Sequence, residues 1–307
     1  MNNLTIFTAP KPFTNAHIAT IQRNAIASWR ELGKDVKIVL IGNDPGIAEA
    51  AAALDVNHIP EVKLNSQGTP IIGSMFAITR RAFPSQNYMI INTDIIIFPE
   101  ILDSIKHACE QADQFLMVGQ RWDLDVDELI DFSGGWERRL KGQVSAQGKL
   151  HPRGGSDYFI FPDSCYQTVP DFAIGRAGWD NWMIYEGRRQ GWRVIDATED
   201  IQVVHQSHDY SHLPQGKPHY KLPETFENVR LAGGERTIFT LFDTDAVLVT
   251  HQVKKTAMDW AKFWREVEIF PLIRLKSYTL AQIFYAVFHP IKAYRDIRAW
   301  QRNKSRK

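Results

Sequence analysis

The chain has 307 residues, of which 44% are hydrophobic and 23% are charged, and its formal net charge is +1. This composition is that of a folded protein and excludes the disordered and fibrous classes. The two cysteines, Cys109 and Cys165, form no paired-cysteine motif, which argues against a disulfide scaffold or a structural zinc site and favours a reducing, cytoplasmic location. Since no basic leader with a long apolar stretch and no run of about 18 apolar residues occurs, we expect neither a signal peptide nor a spanning helix.

The first sixty residues alternate between short apolar runs, which predict strands, and apolar residues at helical spacing. In chain order we predict a strand at 4–9, a helix at 16–32 with Asn15 as its cap and Gly33 as its stop, a strand at 36–41, a helix at 47–54 and a strand at 56–59. This alternation is typical of a parallel sheet that is covered by helices on both faces.

The segment 88–99 contains two apolar tetrads around the polar step Asn92-Thr93-Asp94. Apolar runs of this length predict strands buried on both faces, where an unpaired carboxylate is costly. Asp94 is therefore expected to face a ligand, a metal ion or both. The alternative is a structural Asp that caps the following turn through its own backbone amides.

The rest of the chain is predicted to contain further strands and helices around one long polar stretch. In order these are helices at 70–83 and 101–111, a strand at 115–119, an irregular region at 120–155, a strand at 158–161, a helix at 179–190, strands at 192–195 and 201–205, and helices from 257 that Pro271 and Pro290 divide. A long irregular region inside a domain is usually functional or mobile.

His205 ends an apolar run and is followed by a polar stretch that contains His208 and His212. Neutral imidazole is a common ligand of divalent metal ions, and the end of a strand presents it rigidly. We interpret His205 as a candidate ligand. For His208 and His212 we favour the alternative, a solvated polar loop.

Asp180 follows a glycine-rich turn and opens a predicted helix between Trp179 and Trp182. The helix dipole stabilises a carboxylate at this position, which suits a general base, and the two indoles offer platforms for a sugar ring. The alternative is an ordinary helix cap with two core tryptophans.

A second polar turn, Gly155-Ser156-Asp157, enters the strand at 158–161. It either binds substrate hydroxyls or is plain turn chemistry.

The order of these motifs resembles that of glycosyltransferases with the GT-A fold, of the family 2 type, over residues 4–212. The resemblance implies an α/β fold, Rossmann-like, with a mostly parallel sheet flanked by helices and a helical C-terminal extension. It places Asn92-Thr93-Asp94 at the family's Asp-X-Asp motif, Asp180 at its catalytic base and His205 at its last metal ligand. Nucleotide contacts are implied for Thr8, Ala9, Pro10 and Asp44, and acceptor contacts for Gly155, Ser156, Asp157, Trp179 and Trp182.

The activity implied by the resemblance is transfer of a sugar, of the hexosyl type, from a nucleoside diphosphate sugar to an acceptor hydroxyl. A divalent cation, Mn²⁺ or Mg²⁺, bound by Asp94 and His205 would assist the leaving diphosphate. A single base on the acceptor implies inversion, and retention stays open because the sequence does not show which face of the sugar Asp180 meets. The chain departs from the family at Asn92, which implies weaker metal binding or a diphosphate held partly by Arg or Lys.

Two other functions compete with this interpretation. A sugar-phosphate nucleotidyltransferase shares the sheet and the metal carboxylate, but it usually opens with a glycine-rich phosphate loop, and the segment 8–12 lacks those glycines. A non-catalytic carbohydrate-binding protein of the same fold is the second alternative, and Asn92 is the residue that makes it worth weighing.

We predict a catalytic domain at 1–250, with a nucleotide-sugar half at about 1–118 and an acceptor half at 119–250, followed by a tail at 251–307. The segment 262–307 holds eleven Lys or Arg against three Asp or Glu, and its aromatic residues have helical spacing. Such helices suit a membrane interface, and equally a cap on the catalytic domain or on a second subunit. Membrane contact would suit a glycan or glycolipid acceptor at the inner face of the membrane; no nucleic-acid partner is expected.

Overall fold

The structure is a computed structural model that describes residues 3–208 and 222–304. Its strands are β1 Leu4–Thr8, β2 Lys37–Ile41, β3 Asn57–Ile59, β4 Asn87–Ile91, β5 Ile95–Ile97, β6 Phe115–Val118, β7 Trp122–Leu124, β8 Lys149–Leu150, β9 Tyr158–Pro162, β10 Arg193–Asp196, β11 Val203–Gln206, β12 Ala246–Val249 and β13 Gln252–Lys255. Its helices are α1 Ala16–Arg30, α2 Ile47–Ala53, α3 Ile72–Ala82, α4 Ile101–Gln111, α5 Trp136–Gln147, α6 Trp179–Gln190, α7 Pro223–Leu231, α8 Trp260–Ile273, α9 Tyr278–Phe288 and α10 Pro290–Lys304.

Nine strands form one mixed sheet in the order β13-β12-β10-β6-β9-β4-β1-β2-β3. Strands β3, β2, β1 and β4 are parallel, as are β6, β10 and β12, and β9 runs antiparallel between the two groups. The carboxyl ends of β1, β2, β4, β6 and β10 and the amino end of β9 therefore share one edge. Open α/β sheets bind their ligands at such an edge.

Helices cover both faces of this sheet, because successive residues of its buried strands point to opposite sides. On one face, Ile6 and Leu40 pack with apolar residues of α1, α2 and α4. On the other, Phe7 and Val39 pack with apolar residues of α3, α6 and α8. A large, mostly parallel sheet between helices confirms the predicted fold class. Asn15 also caps α1 as predicted, since its Oδ1 accepts from the amide of Ile18 at 3.0 Å.

A second sheet, in the order β5-β11-β7-β8, lies beyond the end of β4 and has its own small core with α5. The prediction of an irregular region at 120–155 is wrong, because this region contains β7, α5 and β8. Trp136, Leu140 and Val144 form the buried stripe of α5, and their spacing of four residues is a helical signal. The polar residues and glycines around these three positions hid the helical spacing in the sequence.

The C-terminal part continues from the main sheet into three helices. Strand β13 lies beyond the predicted domain boundary at 250 and pairs with β12, so the hairpin spans that boundary. The prediction that Pro271 divides two helices is wrong, since α8 runs through it to Ile273. A proline this near the end removes little of the hydrogen bonding. Pro290 does start a new helix, α10. No helix within residues 3–208 and 222–304 has the length and apolar character needed to cross a membrane.

Trp29 links the two sheets and offers a test of this architecture. Its side chain is fully buried under the main sheet, and its Nε1 donates to the carbonyl of Ile95 in β5 at 2.9 Å. We expect Trp29→Phe to lower the free energy of unfolding by about 1–3 kcal/mol, because the buried carbonyl loses its partner. Urea unfolding measures this, with Trp260→Phe as the matched control at a site that is 73% exposed. An equal loss of unfolding free energy in Trp29→Phe and Trp260→Phe would contradict a stabilising contact between Trp29 and β5.

Candidate active site

The predicted nucleotide-binding residues lie at the carboxyl ends of neighbouring strands. Thr8 ends β1 and is buried, Ala9 and Pro10 follow it, and Asp44 is exposed in the loop after β2. The structure thus brings Thr8, Ala9, Pro10 and Asp44 to the edge that also carries the end of β4. Their contact with a nucleotide remains a prediction.

Asn92 and Asp157 face each other across the antiparallel pair of β4 and β9. The Asn92 amide nitrogen donates to the Asp157 carbonyl at 3.0 Å, and Asn92 Nδ2 donates to Asp157 Oδ1 at 2.8 Å. An Asp at position 92 would put two carboxylates against each other here. Asn92 is therefore a hydrogen-bond donor to Asp157, and Asp157, predicted to meet the acceptor, also belongs to the site around Asp94.

Asp94 is nearly buried in the connection between β4 and β5 and is surrounded by basic groups. Its Oδ2 lies 3.0 Å from Nε2 of His208, 4.0 Å from Nε2 of His205 and 3.8 Å from Nζ of Lys11. Burial alone would raise the pKa of Asp94, but the hydrogen bond with His208 and the charges of His205 and Lys11 hold this pKa well below its ordinary value. The carboxylate is thus ionised although it is almost withdrawn from water.

His208 contacts Asp94 with a side chain that is only 9% exposed. The interpretation of His208 as part of a solvated loop is therefore wrong. The sequence pattern could not show this, because β11 has to pair with β5 before the residues after it reach Asp94. His212 lies outside the residues that the structure describes.

The side chains of Asp94, His205 and His208 form a group that could hold a cation. One ligand atom from each lies within 4.8 Å of the others. Asp94 Oδ1 is buried and has no hydrogen-bond partner among residues 3–208 and 222–304, and a bound cation would supply one. A carboxylate oxygen and two imidazole nitrogens suit a divalent transition-type ion. The residues present therefore fit a divalent cation.

Asp123 connects the second sheet to this group and was not predicted from the sequence. Its Oδ1 lies 2.9 Å from Nδ1 of His205, and its Oδ2 lies 2.8 Å from Nδ1 of His151. Arg121 bonds both Asp123 and Asp157. Burial would raise the pKa of Asp123, but hydrogen bonds with His205 and His151 and the charge of Arg121 keep it well below its ordinary value.

The hydrogen bond between Asp123 and His205 sets the tautomer of His205. A carboxylate only accepts hydrogen bonds, so the Nδ1 of His205 carries the proton that faces Asp123. Nε2, the ring nitrogen that would bind a cation, faces Asp94 Oδ2 at 4.0 Å. Carboxylate partners of this kind orient metal-binding histidines and raise their basicity.

Lys11 also belongs to the site, in a loop that Gln22 of α1 fixes. Gln22 Oε1 accepts from the Lys11 amide at 2.7 Å and from the Thr93 hydroxyl at 2.9 Å, and Gln22 Nε2 donates to the Lys11 carbonyl. Burial lowers the pKa of Lys11, while Asp94 and Asp157 counteract the shift. One buried amide side chain thus ties the loop after β1 to the predicted motif. The sequence showed no sign of this contact.

Asp180 lies in the first turn of α6, after Gly178, which has a left-handed φ of 109°. Its Oδ1 accepts from the amide of Gly178 at 3.0 Å. Burial raises the pKa of Asp180 to about 6, the neighbouring Asp157 adds to the increase, and backbone hydrogen bonds from Asn181 and Gly178 oppose it. A carboxylate with such a pKa can accept a proton near neutral pH.

Trp179 and Trp182 are 5% and 6% exposed and pack in the core. Their rings lie 5.2 Å from those of Phe159 and Phe172, respectively. These positions fit the alternative of core tryptophans and lend no support to the predicted sugar platforms. Gly155 and Ser156 lie in the turn before β9, beside Asp157, as predicted.

No protein-family profile matches the chain, and no curated protein matches it. Among solved structures, it is similar in backbone course to glucosyl-3-phosphoglycerate synthase from Mycobacterium tuberculosis, at 15% identity and a TM-score of 0.49, over 76% of this chain and 81% of that one. A structure of the same enzyme in complex with Mn²⁺, uridine diphosphate and phosphoglyceric acid matches at 14% identity and a TM-score of 0.47, over 76% of this chain and 79% of that one. A mannosyltransferase from Pyrobaculum calidifontis, in complex with GDP-Man and Mn²⁺, matches at 10% identity and a TM-score of 0.40, over 68% of this chain and 58% of that one. At these identities and TM-scores, the similarity concerns the backbone course and supports no conclusion about activity.

The raised pKa of Asp180 predicts a pH-dependent difference in stability. Because folding raises this pKa from 3.8 to about 6, ionised Asp180 destabilises the fold as the pH rises through this range. Asp180→Asn should match the wild type near pH 3 and exceed its free energy of unfolding by about 3 kcal/mol at pH 8. Urea unfolding at both pH values measures this, with the exposed Asp125→Asn as control. A difference that does not change with pH would refute the raised pKa.

The orientation of His205 by Asp123 predicts an effect on cation binding. Asp123→Asn removes the charge and can turn an amide N–H toward His205, so we expect Mn²⁺ affinity to fall about 10–100-fold. Titration calorimetry with Mn²⁺ measures this without any substrate. Asp125→Asn, two residues away and exposed, is the matched control and should bind Mn²⁺ like the wild type. Unchanged affinity in Asp123→Asn would show that this contact does not position the ligand.

Proposed function

We propose that the chain is a glycosyltransferase that moves a hexosyl group from a nucleoside diphosphate sugar to an acceptor hydroxyl with the help of a divalent cation. One observation carries this proposal. A group suited to a cation and a diphosphate, formed by Asp94, His205, His208 and Lys11, shares one sheet edge with Asp180, whose pKa suits a general base. Asp157 lies between the two, since it bonds Asn92 and raises the pKa of Asp180.

The donor half would use the ends of β1, β2 and β4. Thr8, Ala9, Pro10 and Asp44 are placed to meet the nucleotide, and the ammonium group of Lys11 to meet a diphosphate oxygen. Asp94, His205 and His208 would hold the cation, and Asn92 and Thr93 shape the turn around it. When bound, the cation would neutralise the charge that develops on the leaving diphosphate. Two imidazole ligands favour Mn²⁺ over Mg²⁺, which prefers oxygen.

The acceptor half would use Asp180 and the turn before β9. As the acceptor oxygen bonds to the anomeric carbon and the bond to the diphosphate breaks, the acceptor proton passes to the Asp180 carboxylate. A single base that acts on the acceptor supports inversion of the anomeric centre. Arg121 pairs with the adjacent Asp157 and so reduces the negative charge that Asp180 faces.

The acceptor we propose is the hydroxyl group of a glycan or glycolipid, in cell-surface synthesis at the cytoplasmic face of a membrane. The basic C-terminal helices support this choice, because they would bring the enzyme to the surface that carries such acceptors. A nucleotidyltransferase fits less well, since the loop after β1 offers Lys11 but no glycine-rich phosphate cradle.

Removal of either half of the site should abolish transfer. We expect Asp94→Ala and Asp180→Asn each to reduce turnover about 10²-fold or more, because the first removes a ligand and the second the proton acceptor. Release of nucleoside diphosphate from a panel of nucleotide sugars, with and without Mn²⁺, measures turnover, and circular dichroism checks that both variants fold. Asp125→Asn is the control. Pyrophosphate as the product would instead indicate a nucleotidyltransferase, and no release from any donor a binding protein.

A further inference from the structure

Helix α9 exposes an apolar surface that is unusual for a protein in water. None of its eleven residues is charged, and among them only Ala281 is buried. Leu280, Ile283 and Val287 are 39%, 53% and 71% exposed. A helix that is apolar around most of its circumference is normally covered by protein or by lipid.

An aromatic cluster extends this surface onto α8. Trp260 is 73% exposed, and its ring lies 6.0 Å from that of Phe263 and 5.3 Å from that of Trp264. Trp264 in turn contacts Phe288 at the end of α9, at 5.7 Å. Tryptophan and phenylalanine are favoured where apolar and polar surroundings meet, as at the boundary between headgroups and acyl chains.

Helix α10 adds positive charge beside the apolar surface. Lys292, Arg295 and Arg298 are exposed, next to Ile291 and Tyr294, which are 69% and 55% exposed. Cationic side chains next to exposed apolar groups are the composition of helices that lie in an anionic membrane interface.

The acidic residues of the segment do not cancel this charge, because basic groups already pair with them. Glu266 pairs with Arg188 at 2.7 Å, Glu268 with His289 at 3.2 Å and Asp296 with Arg236 at 3.6 Å. Arg188 and Arg236 come from the catalytic part of the chain. The described part of α10 therefore presents a net positive surface.

The net positive charge of α10 favours a bilayer over a second copy of the chain as the partner. A symmetric dimer would place the same surface of both copies together and so bring like charges close to each other. An anionic lipid surface instead complements Lys292, Arg295 and Arg298, while its acyl region accommodates the aromatic and aliphatic side chains. The length of α9, about 16 Å at 1.5 Å per residue, suits a helix that lies along the interface.

We propose that α8, α9 and α10 dock the protein onto a bilayer that contains anionic headgroups, through a docking face formed by Trp260, Phe263, Ile283, Val287, Lys292 and Arg295. This face lies close to the acceptor side of the site. Arg236 stacks on the ring of Tyr285 in α9 at 3.2 Å, and the following segment accepts a hydrogen bond from Asn181, the neighbour of Asp180, at the Phe239 carbonyl. Docking would thus bring Asp180 near acceptors anchored in the same bilayer, an extension that rests on the proposed function.

Vesicle co-sedimentation tests the docking face without donor or acceptor. The full chain is mixed with phosphatidylcholine vesicles or with vesicles that also contain phosphatidylserine. We expect binding only to the anionic vesicles, and less binding as salt is added. Trp260→Ser with Phe263→Ser, and Lys292→Glu with Arg295→Glu, should each weaken binding about tenfold or more. The first pair removes apolar contacts with the acyl region, and the second replaces attraction to the anionic headgroups with repulsion.

Matched controls distinguish binding through the docking face from nonspecific binding to vesicles. Leu129→Ser with Phe226→Ser changes apolar residues that are 66% and 64% exposed elsewhere, and Lys34→Glu with Lys149→Glu changes exposed charges elsewhere. Both controls should bind like the wild type.

Two results would overturn the proposal. One is wild-type binding that is absent, or equal on both kinds of vesicle. The other is a dimer in analytical ultracentrifugation that Trp260→Ser dissociates, which would make a second copy the partner. Donor hydrolysis without vesicles is measured separately and should be unchanged in the docking-face variants. Vesicle binding by a protein that hydrolyses no donor would refute the proposed transferase activity and leave the docking face intact.

Discussion

The candidate site depends on a single buried carboxylate that keeps its charge. Asp94 is 8% exposed, and burial of an ionised carboxylate without compensation is unfavourable. His208 and His205, at the end of β11, and Lys11, in the loop after β1, provide that compensation. Each must be brought to Asp94 by the fold, so the position of this one group constrains the loop after β1, the turn after β4 and the residues that end β11.

The second sheet meets this constraint through its register. His205 lies opposite Ile95 on one side, in antiparallel pairing, and opposite Asp123 on the other, in parallel pairing. A slip of one residue would turn the imidazole to the other face of the sheet and away from Asp94. Trp29 anchors the first residue of β5 from below the main sheet. The small sheet thus holds the two histidines and their carboxylate partner Asp123 in place.

The site also brings four carboxylates together, three of which have basic or amide side-chain partners. These carboxylates are Asp94, Asp123, Asp157 and Asp180, and Arg121 bonds two of them, Asp123 and Asp157, at once. Asn92 belongs to the same pattern, since its amide donates where a second carboxylate would repel Asp157. Asp180 is the member whose charge is least compensated, and its pKa is accordingly the one that rises.

The sequence by itself determined the parallel strands, most of the helices around them and three candidate site residues, Asp94, Asp180 and His205. Apolar runs, helical spacing and local turns indicate these features because they are properties of short segments. Only the tertiary structure decided their partners. Asp123 and His205 are 82 residues apart, and His208 and Asp94 are 114 apart, so strand pairing alone brings them together. Burial likewise decided that Trp179 and Trp182 belong to the core. A local pattern shows which chemical groups a segment carries, but their charge state and contacts depend on what distant segments place beside them.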